Sequence, residues 1–196
     1  IPEDNDLPVT EIAVGTPSFK AGSTTFVTSL TPFTLTATDI GLGVLETRFQ
    51  IDTGAVQVYQ TPFTVKGSGL HTISFFSIDR AGNRETTKTQ TVTVDDAAPV
   101  TTLAIGTPIH TEPDIATVFV KGTTPFTLTA VDAGAGVKET LFKVGEGSFQ
   151  KAVGPFTLSV NSLTKLTFQS KDQLENTELA TEKSVFVDNV APSVVF

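Results

Sequence analysis

Across positions 33–38 the apolar residues Phe33, Leu35 and Ala37 alternate with Thr34, Thr36 and Thr38. A period of two is the signature of a strand with one buried face. The same logic predicts strands over 9–14, 45–51, 71–78 and 86–94, with shorter extended pieces at 25–28, 56–59 and 62–65. In 45–51 it turns Thr47, Phe49 and Ile51 inward and Arg48 and Gln50 outward; in 71–78 it turns Ile73 and Phe75 inward. Gly15-Thr16-Pro17, Asp52-Thr53-Gly54, Lys66-Gly67-Ser68-Gly69 and Asp79-Arg80-Ala81-Gly82-Asn83 punctuate these runs with turn chemistry. No stretch carries a 3.6-residue apolar period, so no helix is expected.

The stretch from Pro32 to Val44 returns almost unchanged from Pro125 to Val137. From Phe26 to Pro99 the second copy follows 93 positions later without a gap, and before Phe26 the offset is 91. The second copy therefore holds two extra residues between His110 and Ala116. A period this long is a repeat of whole domains. Seven or so short strands per copy, separated by Gly, Pro and Asn turns, predict an all-β chain: two tandem β-sandwiches of immunoglobulin or fibronectin type III kind. The expected layout is a lead-in at 1–7, domains at 8–95 and 96–188, and the start of a third repeat at 189–196. An Asp stands four residues before a proline three times (Asp4/Pro8, Asp95/Pro99, Asp188/Pro192), and these short linkers predict units that touch and extend as a rod.

Composition narrows the function. A net charge of −8 disfavours nucleic acid and anionic membrane surfaces as partners. The chain has no cysteine, so neither a disulfide nor a thiolate metal site can form. No apolar run approaches the ~20 residues of a membrane helix. The start lacks a methionine and any signal-like segment, which reads as a piece of something longer. One tyrosine and no tryptophan, against fifteen phenylalanines, leave little for stacking on sugars.

Several motifs together resemble bacterial immunoglobulin-like, fibronectin type III-like tandem repeats. They are Thr36-Ala-Thr-Asp-x-Gly-x-Gly-Val44, Phe49-x-x-Asp52, Tyr59-x-x-Pro-Phe63, the Gly69-x-His-Thr-Ile73 strand and Asp79-x-Ala-Gly-Asn-x-Glu85. The second copy departs from them at Gln173-Leu174-Glu175-Asn176 and at Val144-Gly145. The resemblance implies a non-enzymatic module of a secreted or surface-anchored bacterial protein, with a spacer, adhesive or accessory role. Its partners would be neighbouring repeats, other copies of itself or a surface ligand.

The recurring acids suggest where chemistry could sit. Asp39/Asp132, Glu46/Glu139, Asp79/Asp172 and Glu85/Glu178 appear in both copies, beside the linker residues Asp4, Asp6, Asp95 and Asp96 and the turn residues Asn83 and Asn176. In such a sandwich the linker, the Asp39-type and the Asp79-type carboxylates converge at one pole. Like charges brought together favour a cation, and calcium takes 6–8 oxygen ligands. The expectation is calcium at the joints between domains. Asp39 and Asp79 also fit plain Asx-turns, in which the carboxylate accepts backbone N–H bonds. Glu46 and Glu85 point outward by simple alternation and would need a bulge to join. Phe76 and Ile78 also point outward and, with Tyr59 and Val58, form a candidate apolar interface of the first copy. A loop or bulge covering them is the alternative. Phe196, in the terminal 193–196 segment, is a candidate donated strand, which makes a self-assembling fibre subunit one rival reading. A carbohydrate-binding accessory module of a hydrolase is another. No nucleophile–base set, phosphate loop or zinc spacing supports an enzyme.

Overall fold

The computed structural model describes residues 4–111, 117–191 and 193. The chain forms two compact units, residues 1–96 and 97–196, and among the described residues all regular structure is strand.

Unit 1 contains β1 (Val9–Val14), β2 (Ser18–Ala21), β3 (Thr24–Val27), β4 (Phe33–Thr38), β5 (Val44–Ile51), β6 (Gln57–Val58), β7 (Gly69–Asp79) and β8 (Lys88–Val94). β1 pairs antiparallel with β4, and the ladder is extended by a bridge from Phe33 to Phe63. The facing sheet runs β2-β3-β8-β7-β5-β6, with β3 parallel to β8. The predicted alternation is realised on β7, where Ile73, Phe75, Ser77 and Asp79 are buried between partly exposed neighbours. Between the sheets lie Val27, Phe33, Leu35, Phe49, Val65, Ile73, Phe75, Val92 and Val94. Phe63 stacks on Phe49 at 3.9 Å and on Phe33 at 5.6 Å between ring centroids. Each such side chain contributes about 1.5–3 kcal/mol when fully buried.

Unit 2 repeats the plan with β9 (Val100–Ile105), β10 (Ile109–Thr111), β11 (Val118–Val120), β12 (Phe126–Val131), β13 (Val137–Val144), β14 (Gln150–Lys151), β15 (Leu163–Asp172) and β16 (Thr181–Val187). β9 pairs with β12, and the larger sheet runs β10-β11-β16-β15-β13-β14. Phe142, Phe156 and Phe126 stack as Phe49, Phe63 and Phe33 do. Each unit is thus an immunoglobulin-like β-sandwich, in which strands C, F and G are β5, β7 and β8 of unit 1 and β13, β15 and β16 of unit 2.

Four expectations are corrected. β2 lies over 18–21, where none was expected; it is four residues long and exposed at three of them, so its short alternation gives little signal. Residues 62–65 form a bridge, not a ladder strand. Tyr59 does not join an outer face: its ring meets Phe49 and Phe63 edge-on and packs on the core. Phe76 and Ile78 do point outward, but both are half-buried and the Arg84 guanidinium sits 3.7 Å over the Phe76 ring, which leaves Val58 as the exposed member of the expected face. Phe196 and half of the predicted third repeat, residues 192 and 194–196, lie outside the described residues.

Candidate cation site

Asp39 follows the last residue of β4, and Asp79 ends β7. Val44 on β5 pairs with Asp79, and Val9 on β1 pairs with Thr38, so the ladders bring both acids and the lead-in to one end of unit 1. There Asp4, Asp39 and Asp79 each present an oxygen within 4.8 Å of the other two. At that spacing each pair of full charges repels by about 3 kcal/mol at an effective dielectric constant near 20.

Asp79 is fully buried. Its Oδ1 accepts from the N–H groups of Ala81 at 2.9 Å and Asn83 at 2.7 Å, and its Oδ2 accepts from Asn83 Nδ2 at 2.8 Å. Burial works against its charged form, but the side-chain amide of Asn83 and the N–H groups of Asn83, Ala81 and Gly82 outweigh it and hold its pKa below the ordinary value. Asp4 is held from three sides. Its Oδ2 accepts from Leu42 N–H at 2.6 Å, its Oδ1 from Asp6 N–H at 3.1 Å, and its carbonyl from Asn83 Nδ2 at 2.8 Å. A Cβ on Gly41 would stand 2.1 Å from Asp4 Oδ2, so only glycine leaves room for this carboxylate.

Asp39 Oδ2 accepts from Gly41 N–H at 3.1 Å and Gly43 N–H at 2.8 Å, an Asx-turn around a glycine at φ +85°. Its Oδ1 is buried and has no hydrogen-bond partner. Turn chemistry therefore explains one oxygen of Asp39 and leaves the other without a donor. The second unit repeats this at the same sequence position. One oxygen of Asp132 accepts from Gly134 and Gly136 N–H at 3.1 and 2.7 Å, and the other is buried without a partner. Asp172 Oδ1 accepts from Leu174 and Asn176 N–H, and its Oδ2 accepts from Asn176 Nδ2, all at 2.8 Å.

The remaining candidates divide by what holds them. Asn83 presents its NH₂ group to the acids, so it is a donor that positions Asp4 and Asp79 rather than an oxygen ligand; Asn176 likewise donates to Asp172. Asp6 is exposed and contributes its N–H. Asp95 is buried, with its N–H on Val27 O at 2.8 Å, and Asp96 Oδ1 accepts from Ser29 N–H at 2.8 Å. Both β5 and β13 shift register where a bulge was required, at Val44/Glu46 and Val137/Glu139, yet neither glutamate turns to the pole. Glu46 pairs with Arg48 at 2.6 Å, and Glu139 pairs with Lys171 at 3.0 Å.

Glu85 reverses its expected direction. It is buried, and accepts from Thr10 Oγ1, Thr10 N–H at 3.2 Å, Ser77 N–H at 2.9 Å and Lys88 Nζ at 3.0 Å. Thr10 Oγ1 and Thr47 Oγ1 both reach Ser77 Oγ, at 2.6 and 2.8 Å. Burial again opposes the charge, and the Thr10 hydroxyl, Lys88 and the two N–H groups together hold the pKa of Glu85 low. Glu178 repeats the arrangement with Thr101 and Ser170. These glutamates pin the first strand of each unit to the F strand. Sequence alternation missed this because the chain is irregular between Arg84 and Lys88, where a single bridge replaces the ladder.

No family model matches the chain, and no curated protein matches it. Among solved structures, the fibronectin(III)-like modules of CbhA from Clostridium thermocellum are similar at 15% identity, over 91% of this chain and 94% of that one, with a TM-score of 0.46. The D00-D0 domain of Intimin is similar at 18% identity, over 91% of this chain and all of that one, with a TM-score of 0.34.

Proposed function

We propose that the chain is a non-enzymatic, extracellular structural or adhesive spacer of a bacterial surface or secreted protein, braced by calcium at the pole of each unit. The observation that carries the calcium reading is the buried, donorless oxygen of Asp39, set among the carboxylates of Asp4 and Asp79. A hard cation with oxygen ligands satisfies that oxygen and cancels the repulsion. Asp4, Asp39 and Asp79 would be its protein ligands in unit 1, with carbonyls or water completing the shell. For the second unit the proposal rests on sequence offset: Asp95 stands to Pro99 as Asp4 stands to Pro8, and Asp132 and Asp172 repeat Asp39 and Asp79. Fixing a lead-in to the loops of the following unit removes hinge freedom, which is what a spacer requires.

Thermal unfolding with calcium and with chelator tests this. Calcium raises Tm, and Asp39→Asn combined with Asp132→Asn, which keeps both side-chain shapes, abolishes the rise. An unchanged Tm across calcium concentrations removes the calcium reading. The spacer role is tested separately, by a monomeric profile in size exclusion and no binding on a glycan array.

A further inference from the structure

At the other end of the β5–β7 ladder, where Ile51 pairs with Ile73, unit 1 has a second polar constellation. Asp52 lies just past β5 at φ +50°, a left-handed conformation that costs a non-glycine residue energy. Three hydrogen bonds hold it there: its N–H donates to Thr72 O at 2.8 Å, its Oδ1 accepts from Thr72 N–H at 2.8 Å, and its Oδ2 meets His71 Nδ1 at 2.7 Å. The other ring nitrogen, His71 Nε2, lies 2.8 Å from the carbonyl of Gly67. His71 thus stands between the turn after β5 and the turn before β7. Both of its partners are pure acceptors, and a neutral imidazole has one N–H, so only the imidazolium satisfies both.

Unit 2 solves the same turn without a charge. Gly145 takes the place of Asp52 at φ +55°, and Thr164 takes the place of His71. Glycine adopts that backbone freely and needs no clasp.

We propose that His71, Asp52 and Gly67 form a proton-dependent clasp that ties two turns of unit 1 together in acid and loosens as the pH rises. The surroundings leave Asp52 as the charged partner. The β8 residue registered against His71 is Val92; Lys66 Nζ is turned to Ser29 O at 2.6 Å; Asp96 is engaged with Ser29 N–H. In keeping with this geometry, the hydrogen bond to Asp52 outweighs partial burial and raises the His71 pKa, with the Gly67 carbonyl adding to it. The Asp52 pKa is lowered, first by Thr72 N–H and then by His71. A raised folded pKa contributes stability that is complete below the unfolded value of about 6.5 and is lost as pH climbs through the folded value.

The test is an imidazole NMR titration of the whole chain, in which His110, the other of the two histidines, is the second signal. His71 titrates above about 6.5, and Asp52→Gly shifts it down, with Gly145 showing that the turn accepts glycine. In parallel, Tm is followed from about pH 5 to pH 8, the range in which histidine changes charge. The double variant Asp52→Gly/His71→Thr, which installs the unit 2 pair, flattens the fall of Tm with rising pH that the native chain shows. A His71 pKa at or below the ordinary value, or an unaltered pH slope in the double variant, overturns the proposal. Neither readout depends on calcium, so both can be measured in chelator.

Discussion

The two units share a frame and differ in how they finish it. Both keep the three-ring stack, the glutamate pin and the paired aspartates at the loops. They part on the outer face of strands C and F. Unit 1 covers Phe76 with Arg84, while unit 2, with Gln169 and Thr177 at those positions, links Lys138, Glu175, Lys171 and Glu139 in a chain of ion pairs. They part again at the turn after strand C, where unit 1 uses Asp52 with His71 and unit 2 uses Gly145. Features that set the packing of the two sheets were retained through duplication. Features facing water differ, with an Arg84–Phe76 contact in one unit and ion pairs in the other.

The largest effect probes what the units share. Phe33→Ala or Phe126→Ala, each removing a fully buried ring from the stack, costs about 3–5 kcal/mol in urea unfolding. Comparable losses in both confirm equivalent cores; a loss under about 1 kcal/mol in either breaks the equivalence. Next comes the pin. Glu85→Ala strands buried donors on Thr10 and Ser77 and costs about 3 kcal/mol. Glu178→Ala costs less, since Glu178 is partly exposed and Thr181 stands where unit 1 has Lys88. Because the Glu85 pKa is depressed, its contribution is complete above about pH 4.3, the ordinary glutamate value, and is lost as the pH falls through the folded value. Glu85→Gln therefore flattens the acid limb of the stability curve.

Smaller effects probe the differences. Gly145→Asp forces a non-glycine residue into the left-handed region and costs about 1 kcal/mol. Adding Thr164→His recovers part of that loss at pH 5 and none at pH 8, if the clasp is transferable. Arg84→Ala, which uncovers Phe76, costs about 0.5–1 kcal/mol. Lys171→Gln, on the ion-pair chain of unit 2, has the smallest effect of the series in urea unfolding, and added salt weakens it further.

Strands were legible in the sequence wherever one face meets a core. β4 falls at the expected residues because its alternation persists to both ends, and β1 does so through its apolar content and the Gly15-Thr16-Pro17 break after it, whereas β2 escaped because little of it is buried. At the pole, Asp39 and Asp79 were legible because they recur at fixed places after apolar runs. What escaped notice depends on contacts across the chain. Tyr59 follows a two-residue strand, too short for alternation to show that its ring lies on Phe63. Glu85 follows a turn that resets the phase of β8, so counting from strand G puts it on the wrong side. The donor role of Asn83 was hidden too, since an amide offers oxygen and N–H alike until its neighbours, both acceptors, select one.

The glutamate pin also bears on how a unit meets a pull on its leading end. Among the described residues β1 has β4 as its sole ladder partner, and a strand tugged from one end can peel away from its ladder rung by rung. Thr10 is the second residue of β1, and Glu85 ties its amide and hydroxyl to the hairpin of the opposite layer. Unzipping must therefore begin by stripping the amide and hydroxyl of Thr10 from a buried carboxylate, which is left short of donors, so a costly rung is met early in the peel.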